Sequence, residues 1–416
     1  MSPADEAITA AHRSEWGRLL ALVVSRTRRL DLAEDALAES FARAAERWPV
    51  DGVPDNPAGW LYTTAWRWVV GRLRAEAVSG RVVSRLATGT GWVPPPAEID
   101  GDLPDERLQM ILLCCHPAVP ADARPALALR LVIGTPTAEI ARLFLVSTST
   151  MAARLTRAKR KIVAAGIPLT QPAHDELADR LDAVGATIYL AFTAGYQPGA
   201  GADLLRADLA GEAVELAAVL HRLVPRSAVA GALLALVGFQ HARRDARVLD
   251  GRLVTLAEQD RSRWHHDEIA AALALLARLA PTRGYAESLR LQAEIAAEHV
   301  RPELAVDTDW ATIAARYAEL EALTDSPVVR LSRAVAVAEL DGAAAGLALL
   351  DGLDPALAGG HRLAAVRATL LGRDGDIVGA RDEYGRAIAR CANEAERAHL
   401  RARRDRLGDG PHAPIP

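Results

Sequence analysis

Aromatic residues make up only 4% of this 416-residue sequence, although half of it is hydrophobic. The apolar supply is Ala and Leu in long runs at helical spacing, the composition of an all-α protein. Cysteine is scarce as well. Cys114, Cys115 and Cys391 form no disulfide framework, adjacent Cys114 and Cys115 are poorly disposed to bridge each other, and a reducing compartment fits. No continuous apolar run long enough for a signal peptide or a membrane span follows Ser2 to His12, a stretch that contains Asp5 and Glu6. A cytoplasmic protein with no membrane partner is expected.

Catalytic signatures are missing too. His265-His266 beside Asp267-Glu268 could form a metal or acid–base cluster, but nothing supplies a nucleophile, a phosphate loop or a dinucleotide fingerprint. A solvated helix start accounts for these residues. Cys114-Cys115-His116 offers zinc-ligand chemistry without the usual C-x2-C spacing or a second pair, and only distant Cys391 could add sulfur. A buried helix end is expected there, with no enzyme active site, metal or cofactor anywhere in the chain.

The length implies two or three domains. Residues 1–170 hold 21 Lys and Arg against 18 Asp and Glu, and the remainder holds 28 against 35, so a mildly basic front and an acidic rear suggest different partners. Turn-forming residues divide the chain into four blocks. Residues 10–76 are strongly helical, interrupted by a loop from Trp48 through Pro49, Gly52 and Pro54 to Pro57. Residues 77–104 form a linker marked by Gly80, Gly89, Gly91, Pro94-Pro95-Pro96, Gly101 and Pro104. A second helical unit spans 105–166, closed by Gly166, Pro168 and Pro172, and 175–408 is an Ala/Leu-rich helical array broken at Gly199-Ala200-Gly201, Pro225, Pro281, Pro302 and Pro327. Asp341-Gly342 with Gly346 returns as Asp374-Gly375 with Gly379, and Ala380, Tyr384 and Ala387 have the spacing of a tetratricopeptide second helix. A repeat array and an irregular bundle both fit this pattern.

The most informative stretch runs from Thr135 to Lys161. Thr135 can cap a helix that starts at Pro136 and buries Ile140, Leu143 and Phe144, ending near Leu145-Val146. Ser147 offers a second cap after a short turn, which is a helix-turn-helix. In the second helix Met151, Leu155, Ala158 and Ile162 face inward. Thr150, Arg154, Arg157 and Lys161 line another face, suited to a major groove, with Lys159, Arg160 and Lys161 near phosphates. A solvated basic helix end is the plainer reading of the charge run alone.

Leu32-Ala33-Glu34-Asp35-Ala36-Leu37-Ala38-Glu39-Ser40-Phe41 and Asn56-Pro57-Ala58-Gly59-Trp60-Leu61, leading into Thr63-Thr64-Ala65-Trp66-Arg67-Trp68, resemble the second domain of extracytoplasmic-function (ECF) sigma factors of RNA polymerase. Leu113-Cys114-Cys115-His116-Pro117, Tyr189-Leu190-Ala191-Phe192, Gly195-Tyr196, Arg206-Ala207-Asp208-Leu209, Asp260-Arg261-Ser262-Arg263-Trp264 and Asp307-Thr308-Asp309-Trp310 resemble the subgroup with a long, tetratricopeptide-like C-terminal extension. The chain departs from the family pattern at Trp66, Trp68 and Gly71, where basic residues and an Asp are usual, and at Ala152, where many relatives have Lys.

The resemblance implies an all-α factor with two small sigma domains, the second carrying the helix-turn-helix, joined by a linker and followed by the array. Glu34, Asp35, Glu39 and Phe41 would meet core RNA polymerase. Trp60, Thr64, Trp66, Arg67, Trp68, Arg72 and Arg74 would open and read the minus-ten element, with aromatic faces holding splayed bases. Thr148, Ser149, Thr150, Arg154, Arg157, Lys159, Arg160 and Lys161 would read the minus-thirty-five element of promoter DNA. The extension would regulate activity or dock an unidentified partner. A helix-turn-helix regulator with a helical sensor domain is the alternative.

Overall fold

The computed structural model describes residues 2–78, 104–144, 146–165, 180–196, 207–249, 252–357 and 359–407. These residues are predominantly helical, and the one sheet among them is a two-residue antiparallel pair, Val248–Leu249 (β1) with Arg252–Leu253 (β2). The chain divides into two compact units, residues 1–187 and 188–416. Most of the expected linker, the breaks at Gly166, Pro168 and Pro172 and at Gly199-Ala200-Gly201, and the head of the Arg206 stretch lie outside the described residues.

In the first unit, α1 (Pro3–Thr27) starts where Ser2 and Asp5 cap each other. Asp5 N–H donates to Ser2 Oγ (3.2 Å) and Ser2 N–H to Asp5 Oδ2 (3.0 Å), filling donors that a first turn leaves open. Then α2 (Leu30–Asp51) buries Leu32, Ala33, Ala36, Leu37, Phe41, Ala44 and Trp48 along one stripe. The loop expected from Trp48 begins later than the sequence suggested, because α2 continues through Pro49 to Asp51. Ala45 and Pro49 are exposed, so the carbonyl that proline cannot satisfy faces water, and Gly52 at φ 86° ends the helix by donating to the Trp48 carbonyl. The next helix, α3 (Pro57–Val78), buries Leu61, Tyr62, Ala65 and Val69. Trp60 is half-buried and edge-on to buried Trp48, with ring centroids 5.6 Å apart.

Four shorter helices follow: α4 (Pro104–Cys114), α5 (Arg124–Leu131), α6 (Thr137–Leu143) and α7 (Thr148–Ala164). Cys114 and Cys115 are buried at the end of α4, as expected, and burial pushes the Cys115 thiol up to about 11. A thiol held that far up is inert at neutral pH.

The first and second helical blocks share a tight contact. An ideal Cβ on Gly17 of α1 would sit 1.5 Å from the Val132 carbonyl oxygen at the end of α5, so only glycine lets the two backbones approach this closely. Beside it Gly134, at φ 75°, lies against the Trp16 indole, and the Arg130 guanidinium carbon is 5.6 Å from the centroid of the Trp16 ring. Trp16 packs on Phe41 and His12 in turn.

The second unit takes in α8 (Leu181–Tyr196) from residue 188 on, then α9 (Ala207–Leu223), α10 (Ala228–His241), α11 (His266–Leu276), α12 (Gly284–Val300), α13 (Trp310–Thr324) and α14 (Pro327–Asp341). It ends with α15 (Ala343–Leu349), α16 (Asp354–Leu357), α17 (Arg362–Asp374), α18 (Ile377–Arg390) and α19 (Glu394–Asp405). Its most buried helix is α10, where Phe239 and Leu233 are inaccessible. Pro225, Pro281 and Pro302 fall between helices, and Pro327 opens α14, where its missing N–H costs nothing. The two Asp-Gly junctions share a positive φ, 94° at Gly342 and 95° at Gly375, but not a conformation: ψ is 164° at Gly342, which itself starts the next helix, and −4° at Gly375, after which Asp376 caps the next helix. Ala380, Tyr384 and Ala387 are buried on α18 as their spacing implied.

His266 and Glu268 do open α11, but the start is not simply solvated. Arg244 holds Glu268 through two bonds (2.8 and 2.9 Å), Glu268 also meets His241 Nδ1 at 3.3 Å, and His265 Nε2 meets Asp245 at 2.8 Å. The guanidinium occupies the centre of this part-buried network.

Candidate nucleic-acid interface

The first helix of the helix-turn-helix is α6, whose cap departs from expectation. Pro136 is the N-cap and no side chain caps the helix. Thr135 is turned inward at 1% exposure, where its Oγ1 finds no partner and its backbone N–H donates to Leu129. Ile140 is fully buried and Phe144 only half-buried. Phe144 already caps the helix, so α6 ends before Leu145, itself outside the described residues.

Ser147 caps α7 as its position suggested, with Thr150 N–H donating to Ser147 Oγ at 3.1 Å. Such a cap contributes about 1 kcal/mol. Met151, Leu155, Ala158 and Ile162 are buried and fix the rotation of α7, so that Thr148, Ser149, Thr150, Arg157, Arg160 and Lys161 are exposed together. The hydroxyls are ordered by Ser147 Oγ, which lies 3.0 Å from Ser149 Oγ and 2.8 Å from Thr150 Oγ1.

Two of the eight residues are held by side chains from outside α7. The Arg154 guanidinium meets Asp122, with Nε 3.5 Å from Oδ2 and Nη1 3.4 Å from the backbone oxygen. Lys159 Nζ is 2.6 Å from Glu34 Oε1. The second pair joins α7 to the acidic helix α2, a relationship that nothing in the local sequence of either helix announces.

On α2, Asp35 is exposed and Glu39 pairs with Arg43 at 2.9 Å. Phe41 is 8% exposed and packs between His12 and Trp16, so its work in this structure is packing, and it offers no surface to a partner. On α3, Arg67, Arg72 and Arg74 are exposed, while Thr64, Trp66 and Trp68 are half-buried. The Trp66 ring stacks on Tyr62 with centroids 6.4 Å apart, and the Arg26 guanidinium stands 5.8 Å from the Trp66 centroid. Arg72 is 3.8 Å from Glu76.

Among the described residues, one group has metal-ligand chemistry: His361, Cys391 and Glu396, whose donor atoms lie within 4.8 Å of one another. His361 Nε2 and Glu396 Oε1 are 2.9 Å apart. Cys391 is thus placed in the second unit, away from the Cys114-Cys115 stretch in sequence.

Comparison with known proteins agrees with the geometry. Residues 109–162, which span the helix-turn-helix, match the family model described as sigma-70, region 4, and residues 180–280 match a family of unknown function (DUF6596). An uncharacterized protein of Rhizobium meliloti (strain 1021) is 37% identical over 98% of this chain and 96% of its own length. No solved structure matches. The chain therefore belongs to one family with that rhizobial protein, and within it residues 109–162 match sigma-70, region 4.

Proposed function

We propose that the protein is a sigma factor of the ECF type, which binds core RNA polymerase and directs it to particular promoters. The observation that carries the reading is the exposed face of α7, with Thr148, Ser149, Thr150, Arg157, Arg160 and Lys161 lying inside the residues that match sigma-70 region 4. Hydroxyls and guanidinium forks at the start of such a helix suit the base edges of the minus-thirty-five element, and the later cations suit phosphates. In this reading α2 supplies Glu34, Asp35 and Glu39 to the polymerase, and α3 supplies Trp66, Trp68, Arg67, Arg72 and Arg74, with Trp60 and Thr64, to the minus-ten strand.

Glu34 and Lys159 are each other's partner in the free chain, so binding has to part them. The polymerase would take Glu34, promoter DNA would take Lys159, and the separation needed to reach two promoter elements would open the contact at Gly17. The helical array from residue 188 on, tetratricopeptide-like toward its end, then regulates activity or docks a partner. A cytoplasmic location follows from this work, and among the described residues no helix is long and apolar enough to cross a membrane.

Transcription in vitro with purified core polymerase, the full chain and a genomic promoter pool tests the reading. Discrete, factor-dependent start sites are expected, and Arg157→Ala with Arg160→Ala should weaken them. Duplex binding by the protein alone without any initiation would make it a helix-turn-helix regulator.

A further inference from the structure

Among the described residues, three arginines of the second unit lie near enough to repel one another and hold no carboxylate. Arg243 follows α10, Arg247 precedes β1, and Arg261 opens the short turn Arg261–Arg263. Arg243 Nη2 reaches the Tyr196 hydroxyl at 3.3 Å, and the Arg247 guanidinium carbon stands 3.6 Å from the centroid of the same ring, with Nη2 on the Tyr196 carbonyl at 3.3 Å. Arg261 Nη1 takes the carbonyls of His299 (3.1 Å) and Pro302 (2.6 Å), and its guanidinium lies over Trp264 at 4.4 Å. Every one of these partners is neutral.

The contrast within the unit is sharp. Arg244, one residue on from Arg243, holds Glu268, while Arg290, Arg316, Arg333, Arg367 and Arg373 each hold a carboxylate. Acid is not in short supply, since the chain beyond residue 170 has more Asp and Glu than Lys and Arg. Yet the Nε atoms of Arg243 and Arg247 are shut off from solvent and bonded to nothing. Burying a cation without an anion is costly, and folds rarely keep such groups unless something else completes them. The resulting field is felt nearby, for burial together with Arg243 and Arg261 holds the His299 imidazole down at about 3.

We propose that Arg243, Arg247 and Arg261, with the Tyr196 hydroxyl, form a binding site for the phosphoryl group of a small molecule. Guanidinium forks match phosphate oxygens in pairs, and a doubly charged group answers three cations better than a single carboxylate does. Tyr196 and Trp264 add flat apolar faces for whatever carries the phosphoryl group. The Gly195-Tyr196 and Asp260–Trp264 stretches, which the promoter reading leaves without work, meet here, and most of the site falls within the residues that match the family of unknown function. The inference concerns ligand binding alone and does not depend on the sigma reading; where both hold, the array is a sensor of that ligand.

The test is thermal unfolding and calorimetric titration of the full chain with inorganic phosphate and pyrophosphate, against chloride at equal ionic strength. Phosphate or pyrophosphate should raise the melting temperature above the chloride control. Arg243→Met should weaken binding by roughly tenfold or more, as expected for a lost charged hydrogen bond, while the ligand-free variant melts no lower than the wild type because an uncompensated cation is gone. No response beyond chloride, or an equal response in Arg243→Met, overturns the proposal. If Arg243→Met does not fold, Arg243→Lys decides: it keeps the charge and loses the fork, so it should bind roughly tenfold more weakly, and unchanged binding overturns the site equally.

Discussion

Lys159 Nζ lies 2.6 Å from Glu34 Oε1, tying the helix that matches sigma-70 region 4 to the acidic helix near the N-terminus. Both side chains are half-buried, so the pair stabilises the contact by about 1 kcal/mol at most, weak enough for a binding partner to replace. The chain's only two lysines are Lys159 and Lys161, both in α7, which makes the pair directly measurable. An amine-reactive reagent should modify exposed Lys161 well ahead of Lys159, read by peptide mass spectrometry. Glu34→Gln should raise Lys159 toward the rate of Lys161. Equal rates in the wild type would show that the pair does not hold in solution.

Gly17 makes the same contact testable without touching charge. In an isolated helix Gly→Ala is favourable by about 1 kcal/mol. Here the new methyl would fall 1.5 Å from a backbone carbonyl that no rotamer change can move. Gly17→Ala is therefore expected to destabilise the chain by about 1–3 kcal/mol or to part the two blocks, seen as a lower melting temperature or a larger radius in small-angle scattering. A more stable variant of unchanged radius would mean that the contact is absent in solution.

The local signals were legible in the sequence, and the long-range ones were not. Ser147, Met151, Leu155 and Ile162 could be placed from spacing and cap chemistry because a helix fixes its own faces. Thr135 was misjudged because its hydroxyl competes between capping and burial, and here the residue is buried, with its N–H on the Leu129 carbonyl of α5. Phe41 lies on the buried stripe of the acidic helix, whereas its expected role at a partner surface came from resemblance, and the Trp16 and His12 rings cover it. Glu34 with Lys159, and Arg243 with Arg261, are far apart in sequence and meet only through the fold. A glycine in the middle of a helix, as at Gly17, was a local hint of a close approach.

Arg157 and Arg154 should differ although they are neighbours on one face. Arg157 is exposed and bonds only to its own helix, through Nε to the Ala153 carbonyl at 3.3 Å. Arg154 is held by Asp122 and must leave it to reach DNA. If α7 reads base edges, Arg157→Ala should cost about 1–3 kcal/mol in affinity for the preferred site, and Arg154→Ala less. Asp122→Ala should release Arg154 and tighten DNA binding, and quantitative mobility shifts at fixed salt measure all three. A larger loss for Arg154→Ala, with no effect of Asp122→Ala, would place the ion pair in the bound state as well.

His299 predicts how stability responds to acid. Burial, with Arg243 and Arg261 close by, depresses its imidazole from 6.5 to about 3. The unfolded chain therefore takes up a proton that the folded chain refuses, so this group's contribution is present above pH 6.5 and is lost progressively as pH falls toward 3. His12, depressed by burial and Arg130, works in the same direction. From pH 7 to pH 5 the loss attributable to His299 is up to about 2 kcal/mol. Urea unfolding at the two pH values should show the wild type losing more than His299→Gln by that amount. A variant with the same pH dependence as the wild type would mean that the imidazole titrates normally in the fold.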